Sequence, residues 1–242
     1  MNKSWKLRWN DVLSKVMLIT SSKEQESFIN EITASSKSKV VAFVNAHAMN
    51  LMVHDQALYQ SMLTCDYLLR DGVGMSILYN HLGKMPGLNM NGTDLIPKLL
   101  EKFGGRSLAI WGTQEPYLSQ AATMIANKYS INVVSTHHGF ESNMFYVGLS
   151  KKMKPDLILL GMGMPKQEEI ANELKIKNSN ALIICGGAIV DFLGGKVTRA
   201  PYLFRKLGLE WFYRLISEPR RLFRRYIFGN PLFIIRTLLL RI

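Results

Sequence analysis

The sequence predicts an α/β fold with an open, doubly wound, mostly parallel sheet, and two observations carry that prediction. Short apolar runs recur through the first 195 residues, and their apolarity is continuous, as in strands covered on both faces. Stretches of helical periodicity follow the runs, which is the order of a parallel sheet joined by crossover helices. Together they favour a Rossmann-like fold. The apolar runs are 40–44, 67–69, 108–111, 133–134, 157–160 and 181–185.

The helices between these runs are placed by apolar spacing and by helix breakers. Apolar residues recur at helical spacing over 51–63, which predicts one crossover helix between the first two strands. A further helix is expected to start near 93–94, where Pro97 is tolerable in a first turn. Another is expected near Pro165.

The charge of the chain is concentrated near its C-terminus. The protein has 242 residues and a formal net charge of +12, and residues 196–242 contain eleven Lys and Arg against two Glu. We therefore divide the chain into a near-neutral body, residues 1–195, and a basic helical appendage, residues 196–242, called the tail below. A basic tail is typical of proteins that meet nucleic acid, an anionic lipid surface or a phosphorylated substrate.

Several classes of protein are excluded by composition and by missing motifs. With 48% hydrophobic residues the chain is not disordered, and its two cysteines form no C-x-x-C, which argues against a disulfide framework or a structural zinc site. The apolar run at 16–19 is too short for a signal peptide or a membrane span, so a cytoplasmic location is expected. The sequence has no G-x-G-x-x-G, no P-loop motif and no D-x-D pair. No cofactor and no metal site are therefore predicted.

In a doubly wound sheet, ligands bind outside the carboxyl ends of the strands. The residues that follow the runs are polar or glycine and form what we call the rim. The glycines fit tight strand-to-helix turns, and equally allow close approach of backbone amides to phosphate oxygens. The rim residues are Asn45, Asp71, Gly72, Gly112, His137, His138, Gly161, Gly163 and Gly187.

Asp71 is the strongest candidate for chemistry on the rim. Burial at the end of an apolar strand raises a carboxylate pKa toward the range that suits a general base. The alternative is that Asp71 caps a helix over 75–82. Asn45 fits either a turn or a hydroxyl-binding amide, and His137 and His138 lack a third partner at metal spacing, which favours loop positions for both.

The tail alternates arginines with aromatic and aliphatic residues. Arg214, Arg221 and Arg225 would share one face of a continuous helix, although Pro219 is expected to divide that helix and 229–231 to end it. The last apolar stretch is too short to span a bilayer and is expected to lie in the membrane interface. The alternatives are a solvated helix packed on the body and a nucleic-acid-binding tail, but the aromatics follow helical spacing rather than forming a stacking platform.

Two segments are specific enough to carry a resemblance: G-x-G-x-P-K-Q at 161–167 and G-L-E-W-x-Y-R-L at 208–215. With supporting segments at 45–46, 71–74, 92–95, 186–192 and 195–201, the sequence resembles the WecG/TagA/CpsF glycosyltransferases from about residue 40 to residue 230. The resemblance implies inverting, metal-independent transfer of an N-acetylmannosamine-type or related sugar from a UDP donor. The implied acceptor is a polyprenyl-diphosphate-linked sugar of bacterial surface polysaccharide or teichoic acid synthesis.

The resemblance also implies roles for individual residues. The catalytic set is Asp71 as general base, Asn45 as its neighbouring amide, and Arg214, Arg221 and Arg224. The substrate-binding set is Gly72, Gly112, Gly161, Gly163, Gln167, Gly187 and Asp191. His47 and Asn89 depart from the family pattern, which has Glu and a basic residue there.

The implied partners are the donor, the lipid-linked acceptor and the inner face of the bacterial cell membrane, with no nucleic acid. Homo-oligomerisation stays open. A rival from another class is a catalytically silent sugar-nucleotide-binding module.

Overall fold

Seven parallel strands form the sheet in the computed structural model of the protein, which describes residues 3–35, 38–177 and 179–240. Their order is β1-β3-β2-β7-β6-β4-β5. All six predicted runs are strands, and the sheet confirms the α/β, Rossmann-like prediction. The strands are β1 Val16–Met17, β2 Lys39–Val44, β3 Tyr67–Arg70, β4 Ser107–Gly112, β5 Asn132–His137, β6 Leu157–Gly161 and β7 Leu182–Cys185.

Helices cover both faces of the sheet. Two buried clusters result, one on each side, because side chains of a strand alternate between faces. The body helices are α1 Trp5–Lys15, α2 Ser22–Ala34, α3 Ala46–Leu51, α4 Gln56–Thr64, α5 Val73–His81, α6 Gly92–Leu100, α7 Tyr117–Tyr129, α8 Asn143–Met153, α9 Lys166–Ile176 and α10 Ile189–Leu193. The tail helices are α11 Tyr202–Lys206, α12 Glu210–Ser217, α13 Pro219–Phe223 and α14 Gly229–Leu239, with a π-helical turn at Arg224–Phe228.

The predicted helix starts are close to the observed ones, with two corrections. The single crossover helix over 51–63 is wrong: α3 and α4 are separate, and Asp55 caps α4 by accepting a hydrogen bond from the Leu58 amide. The helix near 93–94 begins at Gly92, so Pro97 lies in its second turn rather than its first. The helix near Pro165 begins at the next residue, as expected.

The tail packs on the body. Phe233 of α14 is 1% exposed and lies 5.4 Å from Trp9 of α1, ring centroid to ring centroid. Pro219 divides α12 from α13 as predicted, but 229–231 does not end the helix. The π-helical turn changes the hydrogen-bond register, so that Pro231 falls in the first turn of α14, where a missing N–H is tolerated.

Within the described ranges, no helix combines the length and apolar character that a bilayer crossing requires. Many apolar side chains of the tail nevertheless face outward. Those more than half exposed are Tyr202, Leu203, Leu207, Ile216, Phe228, Ile235, Leu238 and Leu239.

Candidate active site

Asn45 and Asp71 meet because their strands are neighbours. Val44 pairs with Arg70 in the parallel register of β2 and β3, so the next residue of each strand lies at the same edge of the sheet. The Asn45 Nδ2 donates to Asp71 Oδ2 at 3.3 Å. Asn45 also caps α3, because its Oδ1 accepts from the Ala48 amide. Its carboxamide therefore has the turn role that was expected and also lies beside Asp71, as the resemblance implies, while hydroxyl binding stays a prediction.

Asp71 does not cap a helix. The N-cap of α5 is Gly72, whose φ of +87° favours glycine, and no side chain bonds to the free amides there. The capping alternative for Asp71 is therefore wrong. Its carboxylate is left facing Asn45 and the tail.

A buried arginine holds the turn that follows Asp71. The Arg70 guanidinium donates to the carbonyl oxygens of Gly72 and Gly87, at 3.1 and 3.0 Å, and to Ser76 Oγ at 2.7 Å. Asn89, one of the two departures from the family pattern, accepts from the Gly72 amide at 2.8 Å. Here Asn89 fixes the backbone beside the candidate base.

Two opposing effects act on the pKa of the Asp71 carboxyl. Burial raises this pKa above the ordinary value and is the larger effect. The Asn45 hydrogen bond and the positive charges of Arg225, Arg214 and Arg70 oppose it. Two of these three cations come from the tail, so body and tail share one charged site.

The tail arginines do not all reach this site. Arg214 and Arg225 face Asp71, whereas Arg224 is exposed and Arg221 is exposed and paired with Glu218. The structure therefore brings Arg225, and not Arg224, to the candidate base. The shared helical face of 214, 221 and 225 was the sequence signal for this, and the family pattern pointed one residue earlier.

Arg214 and Arg225 have unused hydrogen-bonding capacity. Each has a buried Nε without a hydrogen-bond partner among the described residues. Burial and the charge of Arg225 lower the pKa of His47 to about 4, so this imidazole is neutral at neutral pH and adds no charge. The Glu210 carboxyl also faces Arg214. Buried guanidinium groups with unused N–H donors favour an anionic ligand.

At the ends of β6 and β7, unlike at the ends of β2 and β3, a buried side chain occupies the backbone amides of the rim. Gln167 is 2% exposed, and its Oε1 accepts from the backbone amides of Gly163 and Gly187, at 3.2 and 3.0 Å. Its Nε2 donates to Glu168 Oε1 at 2.7 Å. Burial raises the pKa of Glu168 to about 8. Gln167 thus ties two loops of the rim together from inside the protein.

Asp191 and Lys196 form a second polar group near the tail. Asp191 accepts from Thr113 Oγ1 and lies 3.2 Å from Lys196 Nζ. Arg214 lies over the ring of Phe192, 5.6 Å from its centroid. Arg214 therefore contacts the residue after Asp191 and also faces Asp71.

The family of the chain follows from a comparison with known protein families. The family model for "Glycosyl transferase WecG/TagA/CpsF family" matches residues 12–242. The chain belongs to this family of glycosyltransferases. Membership makes it a transferase of cell-envelope polysaccharide synthesis and indicates a nucleotide-sugar donor and a lipid-linked acceptor.

The rim glycines of this glycosyltransferase fall into two groups. A Cβ on Gly112 would lie 2.4 Å from the Gly161 carbonyl, and one on Gly161 would lie 2.5 Å from Val190 Cγ2, so tight packing requires both glycines. Gly72, Gly163 and Gly187 have space around them and positive φ, so each is needed for its backbone conformation. The turn explanation fits these three, close packing accounts for Gly112 and Gly161, and the substrate-binding role of all five stays a prediction.

His137 and His138 gain a third polar neighbour, Glu141, which the sequence spacing did not indicate. One ligand atom from each of the three lies within 4.8 Å of the others. Three such groups could hold a metal ion, although exposed acidic groups are common without one. His138 Nδ1 also accepts from the Phe140 amide at 3.3 Å. In this structure the cluster is part of a hydrogen-bonded loop.

Proposed function

We propose that this glycosyltransferase moves an N-acetylmannosamine-type or related sugar from a UDP donor to a polyprenyl-diphosphate-linked acceptor, with inversion and without a metal. One observation carries the proposal: a partly buried carboxylate, Asp71, faces the guanidinium groups of Arg214 and Arg225 from the tail, whose Nε atoms are buried without a hydrogen-bond partner among the described residues. A base and a diphosphate counter-charge are the two things that such a transfer needs.

In the proposed step, Asp71 takes the proton of the acceptor hydroxyl as that oxygen attacks the anomeric carbon. The bond from this carbon to the diphosphate breaks on the opposite face, so a single displacement inverts the configuration. Arg214 and Arg225 neutralise the charge that develops on the departing UDP. Because Gln167 already occupies the amides of Gly163 and Gly187, the arginines carry more of this task.

We further propose that the tail has a second role at the inner face of the cell membrane. Its outward apolar side chains are accompanied by exposed cations, among them Arg205, Lys206, Arg220 and Arg224. Apolar burial together with attraction to anionic lipid is how interfacial helices adhere. The division into a catalytic body, 1–195, and a tail that adheres and completes the site, 196–242, follows from this.

The decisive test is a panel of UDP-sugars assayed against a water-soluble, short-chain lipid-diphosphate-sugar acceptor. We expect one donor to be used, an inverted product by NMR, and activity that survives EDTA. Donor binding without transfer or hydrolysis would favour a silent binding module. Loss of activity on chelation, with recovery on adding magnesium or manganese, would contradict the metal-independent step.

The membrane role has its own test. Replacing Leu203, Ile216 and Phe228 by Ser should weaken co-sedimentation with anionic liposomes and leave transfer to the soluble acceptor unchanged, because these side chains face away from the body. A shift of RNA in gels that persists in salt, with no liposome binding, would instead support the nucleic-acid alternative.

A further inference from the structure

Asn50 joins the body to the tail at two points. It lies on α3, three residues after His47, and its carboxamide contacts α14 in both directions. Its Nδ2 donates to the Gly229 carbonyl oxygen at 2.7 Å, and its Oδ1 accepts from Arg236 Nη1 at 2.8 Å. These partners are about two helical turns apart, so the two bonds fix both the position and the register of α14 on α3.

Apolar packing alone does not fix that register. Gly74 of α5 brings Phe233 close to α3, since a Cβ there would lie 3.1 Å from Ala46 Cβ and 3.4 Å from the Phe233 ring. Such a contact stabilises the docked helix but is not directional. Hydrogen bonds are directional, and those of Asn50 are the ones that set the alignment.

Arg225 depends on this alignment. It lies four residues before Gly229, on the π-helical turn that continues into α14. The helix α3 carries His47 and Asn50, and its N-cap is Asn45. This short helix is therefore connected to the candidate base through Asn45 and to the tail through Asn50. A shift of α14 along α3 would move Arg225 relative to Asp71.

We propose that Asn50 is a positioning residue: by bonding Gly229 and Arg236 it holds Arg225 beside Asp71. This inference rests on the proposed function, because its effect is on sugar transfer. Asn50 itself touches no reacting atom, and its role is exerted through Arg225.

The test is a double-mutant cycle on the soluble acceptor. Asn50→Ala should lower kcat roughly tenfold, since small misplacements of catalytic groups are costly. The Asn50→Ala/Arg225→Ala double variant should be no slower than Arg225→Ala alone. Four charged or titratable groups of the described residues act on Asp71: Arg70 of β3, Glu210 and Arg214 of α12, and Arg225. Of these, Asn50→Ala should move Arg225 away, so the acid limb of the pH–rate profile should move to higher pH. Independent, multiplying losses of kcat, or an unmoved acid limb, would overturn the proposal.

Asn172→Ala is the matched control. It removes one side-chain hydrogen bond, from Thr64 Oγ1 at 2.8 Å, which joins α4 to α9 away from the tail. It should change neither kcat nor the acid limb. If Asn50→Ala does not fold, Arg236→Met removes the bonds from Arg236 Nη1 to Asn50 Oδ1 and to the Asn50 carbonyl oxygen, at 2.8 and 3.5 Å. It should move kcat and the acid limb in the same direction, and no change in that variant overturns the proposal.

A readout independent of activity separates this inference from the proposed function. Without substrates, trypsin should cut after Arg225 faster in Asn50→Ala than in the wild type or in Asn172→Ala. Unchanged cleavage overturns the positioning role of Asn50 even if transfer is confirmed. If the wild type transfers sugar from no donor of the panel, the proposed function fails, while faster cleavage in Asn50→Ala would still show that Asn50 holds the tail on the body.

Discussion

At the ends of β6 and β7 the polar groups of the rim bond to one another. At the ends of β2 and β3, by contrast, the Asp71 carboxyl faces two arginines of the tail. Gln167 binds two backbone amides and Oε1 of Glu168. Oε2 of Glu168 has no partner in the described part of the chain, but its raised pKa of about 8 leaves this carboxyl mostly uncharged at neutral pH. Asp71, by contrast, has one side-chain hydrogen bond among the described residues, and the charged arginines opposite it keep Nε groups without a partner there. One half of the rim is built for rigidity and the other for a ligand.

Glycine-rich turns alone therefore do not locate the candidate anion site. The amides that the turns expose near Gly163 and Gly187 are occupied by Gln167, so the unsatisfied charge marks the site better than the glycines do. Buried cations without partners are costly, and a ligand that pairs with them recovers that cost.

The largest expected loss of activity comes from removing the candidate base, Asp71. Asp71→Asn keeps the size of the side chain, so turnover should fall roughly a hundredfold or more while UDP affinity, measured by calorimetry, holds. Near-normal turnover would mean that the unsatisfied half of the rim does not perform the chemistry.

In the tail, we expect replacement of the adjacent residues Arg224 and Arg225 to have different effects on kcat. Arg225→Ala and Arg214→Ala should each lower kcat roughly tenfold or more with the soluble acceptor, since the leaving group loses a counter-charge. Arg224→Ala, whose side chain is exposed, is the matched control and should have little effect there. An equal loss in Arg224→Ala would restore the family-based assignment.

The rigid half of the rim should respond mainly in stability and donor binding. Gln167→Met leaves the amides of Gly163 and Gly187 without an acceptor, which costs about 1–3 kcal/mol for an unsatisfied buried group. The free energy of unfolding should fall, and the donor KM should rise more than kcat falls. A selective loss of kcat would show that Gln167 takes part in the chemistry.

The smallest expected effect concerns the pH dependence of stability. The pKa of Glu168 is about 8 in the folded protein against an ordinary value of 4.5. Its contribution to stability is therefore full below pH 4.5 and is lost as pH rises toward 8. Glu168→Gln, which cannot ionise, should raise Tm relative to the wild type at pH 8 more than at pH 5. An equal shift at both pH values would mean that Glu168 is ionised in the fold.

The sequence predicts the sheet well because apolar runs of parallel strands are continuous and lie where the chain must be buried. It also puts Asn45 and Asp71 on one rim, and the resemblance makes them neighbours. The structure confirms this, because their strands pair. The break between α3 and α4 is missed because Asp55 interrupts an apolar stripe without disturbing its spacing.

The sequence does not predict how the tail meets the body. Helical spacing points to Arg225 and the family pattern to Arg224, and the sequence alone does not decide between them. Nor does it indicate the π-helical turn at Arg224–Phe228, through which the helix continues past 229–231. Nor does it indicate that Gln167 is turned inward, because a motif specifies residue types and not the direction of an amide. Both depend on tertiary contacts, such as those of Asn50 and Glu168.

The central claim is that body and tail form one site, and a pH–rate profile tests it most directly. Activity needs ionised Asp71, so kcat/KM should fall as pH drops through its raised pKa. Since Arg225 lowers this pKa, Arg225→Ala should move the acid limb to higher pH, and Arg224→Ala should leave it in place. An acid limb that is identical in the wild type and in Arg225→Ala would contradict the account.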